Sequence, residues 1–191
     1  MKGSKIVKIV MIAVVLAALV LGYYFYLGHK TRKQEAEEVV QVTAVQSVLM
    51  KDLERSYPPT PKEVMKYYCE ITKCFYNEEY SEEELLELAV KIQELYDEEL
   101  VANKSQEDYL NDLKADIANM KKNQYTVASY DISASTDVER FVENDRSCAR
   151  MYCTFNLKQA GTTGTRATME QFVLREDADG HWKILGWKLA D

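Results

Sequence analysis

Four cysteines, arranged as two pairs along the chain, are the residues best suited to redox chemistry. Cys69 with Cys74 and Cys148 with Cys153 each have four residues between their members. Residues five apart lie roughly 140° apart around a helix axis and on opposite sides of a strand, so neither pair can bridge within itself. We predict that a disulfide, if one forms, joins Cys74 to Cys153. Buried reduced thiols are the alternative, because free cysteine is a common core residue.

The remaining polar residues do not indicate a metal, cofactor or catalytic motif. Zinc sites commonly need cysteines separated by two residues together with well-placed histidines, whereas the two histidines here are His29 and His181. The acidic segment 177–180 is predicted to be a hairpin turn, because a calcium loop aligned on Gly180 would place Gly186 where a glutamate must bind. We therefore predict no catalytic residue, no metal ion and no cofactor.

The candidate for a ligand-binding surface is a group of three residues on one predicted strand. Arg150, Tyr152 and Thr154 alternate along the sequence and therefore share one side of that strand. The chain also has 13 tyrosines, and this amphipathic residue type is enriched at binding surfaces. The alternative is that most tyrosine rings pack, half-buried, where helices meet the sheet.

The elements that must position these residues follow a long apolar segment near the amino terminus. Residues 9–28 contain no charged side chain, and a helix of this length spans roughly 30 Å, about the hydrocarbon thickness of a bilayer. A cleaved signal peptide has a shorter apolar core followed by small residues, whereas this segment ends in the aromatic cluster 23–26. A buried core helix would show a polar side. We predict a retained signal anchor that crosses a bacterial cell membrane once.

The distribution of charge predicts the orientation of this anchor. The first 33 residues hold six of the 24 basic residues and none of the 31 acidic residues. A short basic tail, residues 1–8, is typical of the cytoplasmic end of a signal anchor. The strongly acidic remainder argues against a nucleic-acid partner, which would require clustered Lys and Arg. We expect the amino terminus in the cytoplasm and the carboxy-terminal domain outside it.

The middle of the chain carries three helix N-terminal signals in succession. Thr60, Ser81 and Ser105 each stand where a side-chain oxygen caps a helix, and Pro61 suits a first turn. Apolar residues follow each cap at spacings of three and four, as on one side of an amphipathic helix. The same spacing predicts an earlier helix over residues 34–56, through Val42, Val45, Leu49 and Leu53.

After Asn123 the pattern changes to an alternation of apolar and polar residues. Strands are predicted at 125–133, 137–143, 147–158, 165–176 and 181–189. One side of the third strand is apolar and consists of Ala149, Met151, Cys153, Phe155 and Leu157. Such alternation is typical of an antiparallel sheet with one buried side. Helices followed by a hairpin-connected sheet predict an α+β domain, with the helices packed on one side of the sheet.

Two resemblances extend this prediction. The segment 179–187, Asp-Gly-His-Trp-Lys-Ile-Leu-Gly-Trp, resembles the last hairpin of NTF2-like cone domains, which include SnoaL-like and cystatin-like folds. This resemblance implies a curved antiparallel sheet that forms a cone with the helices. The whole chain also resembles an uncharacterised family of short bacterial single-pass membrane proteins, through the segments 57–61, 76–80 and 182–186. NTF2-like enzymes place Asp, His or Tyr inside the cone, and neither histidine here is predicted to point there.

The predicted organisation has four parts along the chain. They are a basic tail (1–8), a transmembrane helix (9–28), a helical stalk or first helix (29–57), and an NTF2-like α+β domain (58–191) with helices in 61–122 and the sheet in 125–190. The lipid bilayer is expected to contact residues 9–28, and an unidentified protein or cell-envelope component is the expected partner of the domain. A homodimer through the sheet is a further expectation.

Two hypotheses about function follow from this organisation. The first is a non-enzymatic interaction module held at the membrane surface. The second is a small-ligand-binding protein or SnoaL-like enzyme that uses the interior of the cone. An interior filled by Phe155, Leu157, Trp182 and Trp187 would favour the first hypothesis. A cavity with converging polar groups and acids of perturbed pKa would favour the second.

Overall fold

The computed structural model describes residues 42–190, and in this part of the chain the helices precede one antiparallel sheet. The helices are α1 (Ala44–Leu49), α2 (Pro61–Asn77), α3 (Glu82–Gln93), α4 (Glu98–Ala102) and α5 (Gln106–Lys122). The strands are β1 (Tyr125–Ile132), β2 (Glu139–Glu143), β3 (Arg146–Gln159), β4 (Thr165–Glu176) and β5 (Trp182–Leu189). The predicted α+β class is confirmed for these residues.

Side-chain caps begin the three longest helices. The hydroxyls of Thr60, Ser81 and Ser105 each accept a hydrogen bond from the amide three residues later, at 3.3, 3.1 and 3.1 Å. The Ser81 amide also donates to Glu84 Oε2 at 2.8 Å, which completes a capping box. The three predicted helix starts are confirmed, because capping depends on residues that are neighbours in sequence.

The helix predicted over residues 34–56 differs from the structure in its described part. Of residues 42–56, the segment Ala44–Leu49 is the α-helical one, and the chain turns from Met50 onward. Thr43 is extended and forms a capping box with Gln46, so a helix starts where the apolar spacing predicted that one continues. The prediction was wrong over these flanking residues. Of the four apolar residues at this spacing, Val45 and Leu53 are buried, Leu49 is half-buried and Val42 is 52% exposed.

The predicted transmembrane helix, residues 9–28, lies outside the described residues, as do the basic tail and residues 29–41 of the predicted stalk. Within residues 42–190, no helix is both long enough and apolar enough to cross a bilayer.

The long strand β3 is the centre of the sheet. The strand order is β1-β3-β4-β5, and β2 pairs with β3 beyond the end of β1. All of these pairings are antiparallel. At the turn between β2 and β3, Asn144 and Asp145 have φ values of 48° and 59°, the left-handed conformation that two-residue hairpin loops require. The predicted hairpin there is confirmed.

The helices pack on the side of β3 that was predicted to be apolar. Ala149, Met151, Cys153 and Phe155 are buried, and Leu157 is half-buried. Cys69 on α2 contacts Cys153 on β3, and the Tyr68 ring meets Phe172 on β4 edge-on at 5.3 Å between centroids. We call this side of the sheet the inner side and the opposite side the outer side. The inner side and α2 form most of the hydrophobic core.

The segment between α3 and α4 adds to the free edge of β5. The Asp97 amide donates to the Ile184 carbonyl, and the Ile184 amide donates to the Leu95 carbonyl, both at 2.8 Å. The buried Asp97 carboxylate accepts hydrogen bonds from Arg175 Nε and Nη2 at 3.0 and 2.5 Å and caps α4 through the Glu99 amide. Burial alone would raise the pKa of Asp97, but these hydrogen bonds outweigh it and hold the pKa below its usual value. The helix α4 and this ion pair were not predicted.

Candidate functional site

A β-bulge in β5 brings two tryptophans to the same side of the sheet. Val173 lies opposite Gly186 but Leu174 lies opposite Ile184, so Leu185 has no counterpart on β4. Strict alternation would place Trp182 and Trp187 on opposite sides, because they are five residues apart. The bulge moves both onto the inner side.

A cavity of about 450 Å³ lies between α2, the α3–α4 segment, α5 and β5. Its aromatic walls are Tyr68, Phe75 and Tyr76 of α2, Tyr96 after α3, Tyr109 of α5 and Trp187 of β5. We call it the aromatic cavity. This volume falls within the range of small-molecule sites, roughly 300–1,000 Å³. Several tyrosines of the helical part therefore line this cavity in addition to packing between the helices and the sheet.

The rings around the aromatic cavity are close together and inclined to one another. The Trp187 ring lies 6.0 Å from Tyr68 and 5.8 Å from Tyr96 between centroids, with interplanar angles of 55° and 44°. Tyr96 and Tyr109 are 6.4 Å apart and nearly perpendicular, at 88°. Because the rings are inclined to one another, a small group in the cavity can contact more than one of them.

The carboxylates of the cavity wall are Asp112 and Asp116, and a third, Glu170, lies outside the wall on β4. Tyr76 Oη donates a hydrogen bond to Asp116 Oδ2, and both residues line the cavity. Glu170 lies opposite Cys153 in the sheet and two residues before Phe172, which places its side chain on the inner side. Burial, and then the negative charge of Asp116, raise the pKa of Glu170. Ionisation of Glu170 is therefore unfavourable in the folded domain, mainly because of burial and in part because of the charge of Asp116.

Most other polar groups at the cavity are neutral or already paired. Burial raises the pKa values of Tyr68, Tyr96 and Tyr109, so their hydroxyls stay protonated at neutral pH. Asp112, also in the wall, forms an ion pair with Lys104 at 2.5 Å. Within residues 42–190, by contrast, no Lys, Arg or His side chain lies at ion-pairing distance from Asp116 or Glu170.

The predicted ligand-binding residues Arg150, Tyr152 and Thr154 lie together on the outer side of the sheet. Arg150 forms an ion pair with Glu139 at 2.7 Å, and Tyr152 Oη accepts a hydrogen bond from Gln171 Nε2 at 2.7 Å. These residues therefore share one exposed surface, as their alternation predicted, but this surface is separate from the aromatic cavity. Their role in ligand binding, and a homodimer through this sheet, stay predictions.

The cysteine that contacts Cys153 is Cys69, and the disulfide between Cys74 and Cys153 stays a prediction. Cys69 Sγ lies 3.4 Å from Cys153 Sγ in the core, and all four cysteines are buried free thiols. Nine residues of α2 are buried, so its apolar stripe is too wide to decide which cysteine faces the sheet. The hydrogen bond between the two thiols and their burial raise the pKa of Cys69 far above its usual value. Burial raises the pKa of Cys74 to about 11. The thiols of Cys69 and Cys74 are therefore not activated nucleophiles.

The turn between β4 and β5 brings together three side chains of the kind that bind metal ions. One ligand atom each of Asp177, Asp179 and His181 lies within 4.8 Å of the others. The Asp177 carboxylate already accepts hydrogen bonds from the Asp179 and His181 amides at 3.0 and 2.8 Å. This arrangement is that of an Asx turn, which the hairpin itself requires. A shallow polar cleft of about 1040 Å³ lies beside it, and Asp97 in its wall already pairs with Arg175.

Glu170 was missing from the residues selected by sequence. One signal pointed to it, because it occupies an inner-side position in the alternation that continues through Phe172 and Leu174. An acid on the buried side of a strand normally has a cationic or hydrogen-bonding partner, because an unpaired charge there costs free energy. The four residues expected to fill the interior differ in burial. Phe155 and Trp182 are buried, Leu157 is half-buried, and Trp187 remains 41% exposed.

The fold and this site define a class, an α+β domain with an aromatic cavity between its helices and the inner side of its sheet. The chain belongs to the family described as "Domain of unknown function (DUF6715)", which matches residues 1–187. No curated protein matches the chain.

Proposed function

We propose that this chain is a membrane-anchored module whose extracytoplasmic domain binds a small ligand in the aromatic cavity. The observation that carries the proposal is the position of Trp187. Its side chain is on the inner side of the sheet yet 41% exposed, because it borders the cavity. Large aromatic rings around a cavity, together with a few polar groups, are typical of small-ligand sites.

Acidic side chains favour ligand binding over the alternative that the cavity is only a gap in the packing. A half-buried carboxylate without a cation partner costs free energy when it ionises, because its charge has lost part of its water. Glu170 is such a group, and a ligand that interacts with it explains its position better than packing does. Asp116 is exposed, lines the cavity and offers a second negative charge to a ligand. The cavity wall contains Tyr, Asp and Lys side chains but no histidine. A binding role is accordingly proposed rather than catalysis.

The finer assignment of the fold belongs to the same proposal. Helices that precede a hairpin-connected sheet, with a cavity enclosed between them, support an NTF2-like cone. The apolar segment 9–28, without a charged residue, supports the anchor, and the family match includes it. An anchored domain would meet its ligand at the membrane surface, where the effective concentration of membrane-associated molecules is high.

The two tryptophans provide a direct test of ligand binding. The chain contains only two, and Trp182 is in the core whereas Trp187 lines the cavity. The full chain, labelled with 5-fluorotryptophan and placed in lipid nanodiscs, should give two ¹⁹F signals, which the Trp187→Phe variant assigns. Titration with benzyl alcohol, benzoate and benzyltrimethylammonium separates neutral, anionic and cationic probes of one ring size.

We expect at least one probe to shift the Trp187 signal in a saturable way and to leave the Trp182 signal in place. Equal shifts of both signals would indicate a change in the whole domain instead of binding in the cavity. If none of the three probes moves the Trp187 signal, the proposed function is wrong.

A further inference from the structure

The aromatic cavity combines two features that together select a kind of ligand. Its walls are electron-rich ring faces, and the uncompensated charges beside it are negative. Ring faces attract cations within about 6 Å of their centroids, most strongly when the cation has lost water. The ring centroids here are 5.8–6.4 Å apart, so one cationic group can contact more than one face.

The charges exclude an anion and give a neutral ligand no advantage. Asp116 lines the cavity and accepts a hydrogen bond from the Tyr76 hydroxyl. Glu170 is not in the cavity wall, but it lies on the inner side of β4 two residues from Phe172, which pairs with Trp187. The one lysine in the wall, Lys104, is already paired with Asp112. An anion would add to the repulsion between the two acids. A cation would remove that repulsion and would also contact the rings.

We infer that the ligand of the aromatic cavity is an organic ammonium ion with an apolar body, such as a methylated or quaternary amine. This inference rests on the proposed function, and it specifies the chemical class of the ligand. The rings supply contacts to the alkyl groups on nitrogen, and Asp116 and Glu170 supply the counter-charge. Such a group is available as a free solute or as the headgroup of a lipid.

A matched pair of probes tests the charge alone. Choline and 3,3-dimethylbutan-1-ol have the same shape, and carbon replaces the charged nitrogen in the second. Each is titrated into the full chain in phosphatidylglycerol nanodiscs, which carry no ammonium headgroup, with the ¹⁹F signal of Trp187 as the readout. Contacts of a cation with several rings and two acids should make choline bind about tenfold more tightly.

The outcomes distinguish the cationic class of the ligand from the more general proposal that the cavity binds a small ligand. If the neutral alcohol binds as tightly as choline, the cationic class is wrong but small-ligand binding stands. If neither choline nor the alcohol binds while benzyl alcohol or benzoate does, the cationic class is again wrong and small-ligand binding stands. If no probe of either set moves the Trp187 signal, both the inference and the proposed function are wrong.

A charge-removing variant checks that the acids act locally. Glu170→Gln should weaken choline binding about fivefold and leave the neutral alcohol unchanged, as expected for the loss of one partly buried ionic contact. Glu139→Gln makes the same change in net charge on the outer side of the sheet and should have no effect. Equal weakening in both variants would mean that only the overall charge of the domain matters, which contradicts the inferred site.

Nanodisc composition identifies the source of the ammonium group. In phosphatidylcholine discs, a Trp187 signal already at its choline-saturated position would identify a lipid headgroup. A signal that still needs added choline would identify a free solute. Both results agree with the inferred chemical class.

Discussion

Trp182 and Trp187 stand at the two ends of β5 on the inner side of one sheet, yet their surroundings differ. Trp182 is 6% exposed, and its carbonyl accepts a hydrogen bond from Tyr57 Oη at 2.9 Å. Trp187 is 41% exposed and borders a cavity with acids beside it. We call these the closed end and the open end of the inner side.

The difference shows how one sheet separates stability from binding. At the closed end, the Trp182 ring is removed from water, and burial of apolar surface is the main source of folding free energy. At the open end the rings enclose space, and Glu170 carries a charge that the fold disfavours. Sites that bind ligands commonly keep such unfavourable groups, and the rest of the domain compensates for them.

Truncation of each tryptophan should give the largest contrast. Trp182→Ala removes a ring from a close-packed environment and should lower the free energy of unfolding by about 3–5 kcal/mol. Trp187→Ala removes a ring that solvent and the cavity already border, and it should cost no more than about 1.5 kcal/mol. Urea denaturation followed by far-ultraviolet circular dichroism measures both. Similar losses for the two variants would show that the open end is part of the close-packed core.

The ion pair at the edge of β5 should give the next largest effect. Asp97→Ala leaves the Arg175 guanidinium buried without its main partner and should destabilise the fold by about 3 kcal/mol. Glu99 contacts the same guanidinium at 2.9 Å but is 65% exposed. Its replacement by alanine is the matched control and should cost less than about 1 kcal/mol, because solvent screens exposed pairs. Thermal unfolding at neutral pH distinguishes the two.

A pH dependence accompanies the Asp97 prediction. The pKa of Asp97 is lower in the folded domain than in the unfolded chain. Its contribution to stability is therefore complete above the unfolded pKa, about 3.9, and is lost as the pH falls through the folded pKa. The difference between Asp97→Ala and the unchanged chain should shrink in that acidic range. A difference that stays constant down to the lowest pH measured would mean that the charge contributes nothing.

The smallest effect on stability is expected at Glu170, where substitution should stabilise the domain instead of destabilising it. Because its pKa is raised in the folded domain, ionisation destabilises the fold as the pH rises from the unfolded value, about 4.3, through the folded value. The groups whose charges interact with it are Tyr68, Cys69 and Tyr76 on α2 and Asp116 on α5. Glu170→Gln should therefore stabilise the domain at neutral pH, by less than about 1 kcal/mol.

The gain in Glu170→Gln should disappear below about pH 4, where the unchanged side chain is protonated in both states. Unfolding curves at several pH values measure this. A loss of stability at neutral pH would mean that the Glu170 carboxylate is satisfied within the domain, and it would remove one of the arguments for a ligand.

Local signals predicted much of this fold. Thr60, Ser81 and Ser105 cap helices where their types and spacing predicted, and Cys153 lies on the buried side of β3. The aromatic cavity was harder to predict from the sequence. Tyrosine-rich helices indicate an aromatic surface. Alternation along β3 identifies the two sides of the strand without showing which one borders a cavity, so it favours Arg150, Tyr152 and Thr154 on the polar outer side.

What the amino-acid sequence determined by itself depends on residues within one or two turns of each other, namely where helices begin and which side chains of a strand share a side. Three features were decided only by the tertiary structure. They are the bulge at Leu185 that turns Trp187 inward, the pairing of Cys153 with Cys69, and the gap that α2 and α5 leave over the open end. Each depends on how segments far apart in the chain pack together, which neither capping nor periodicity encodes.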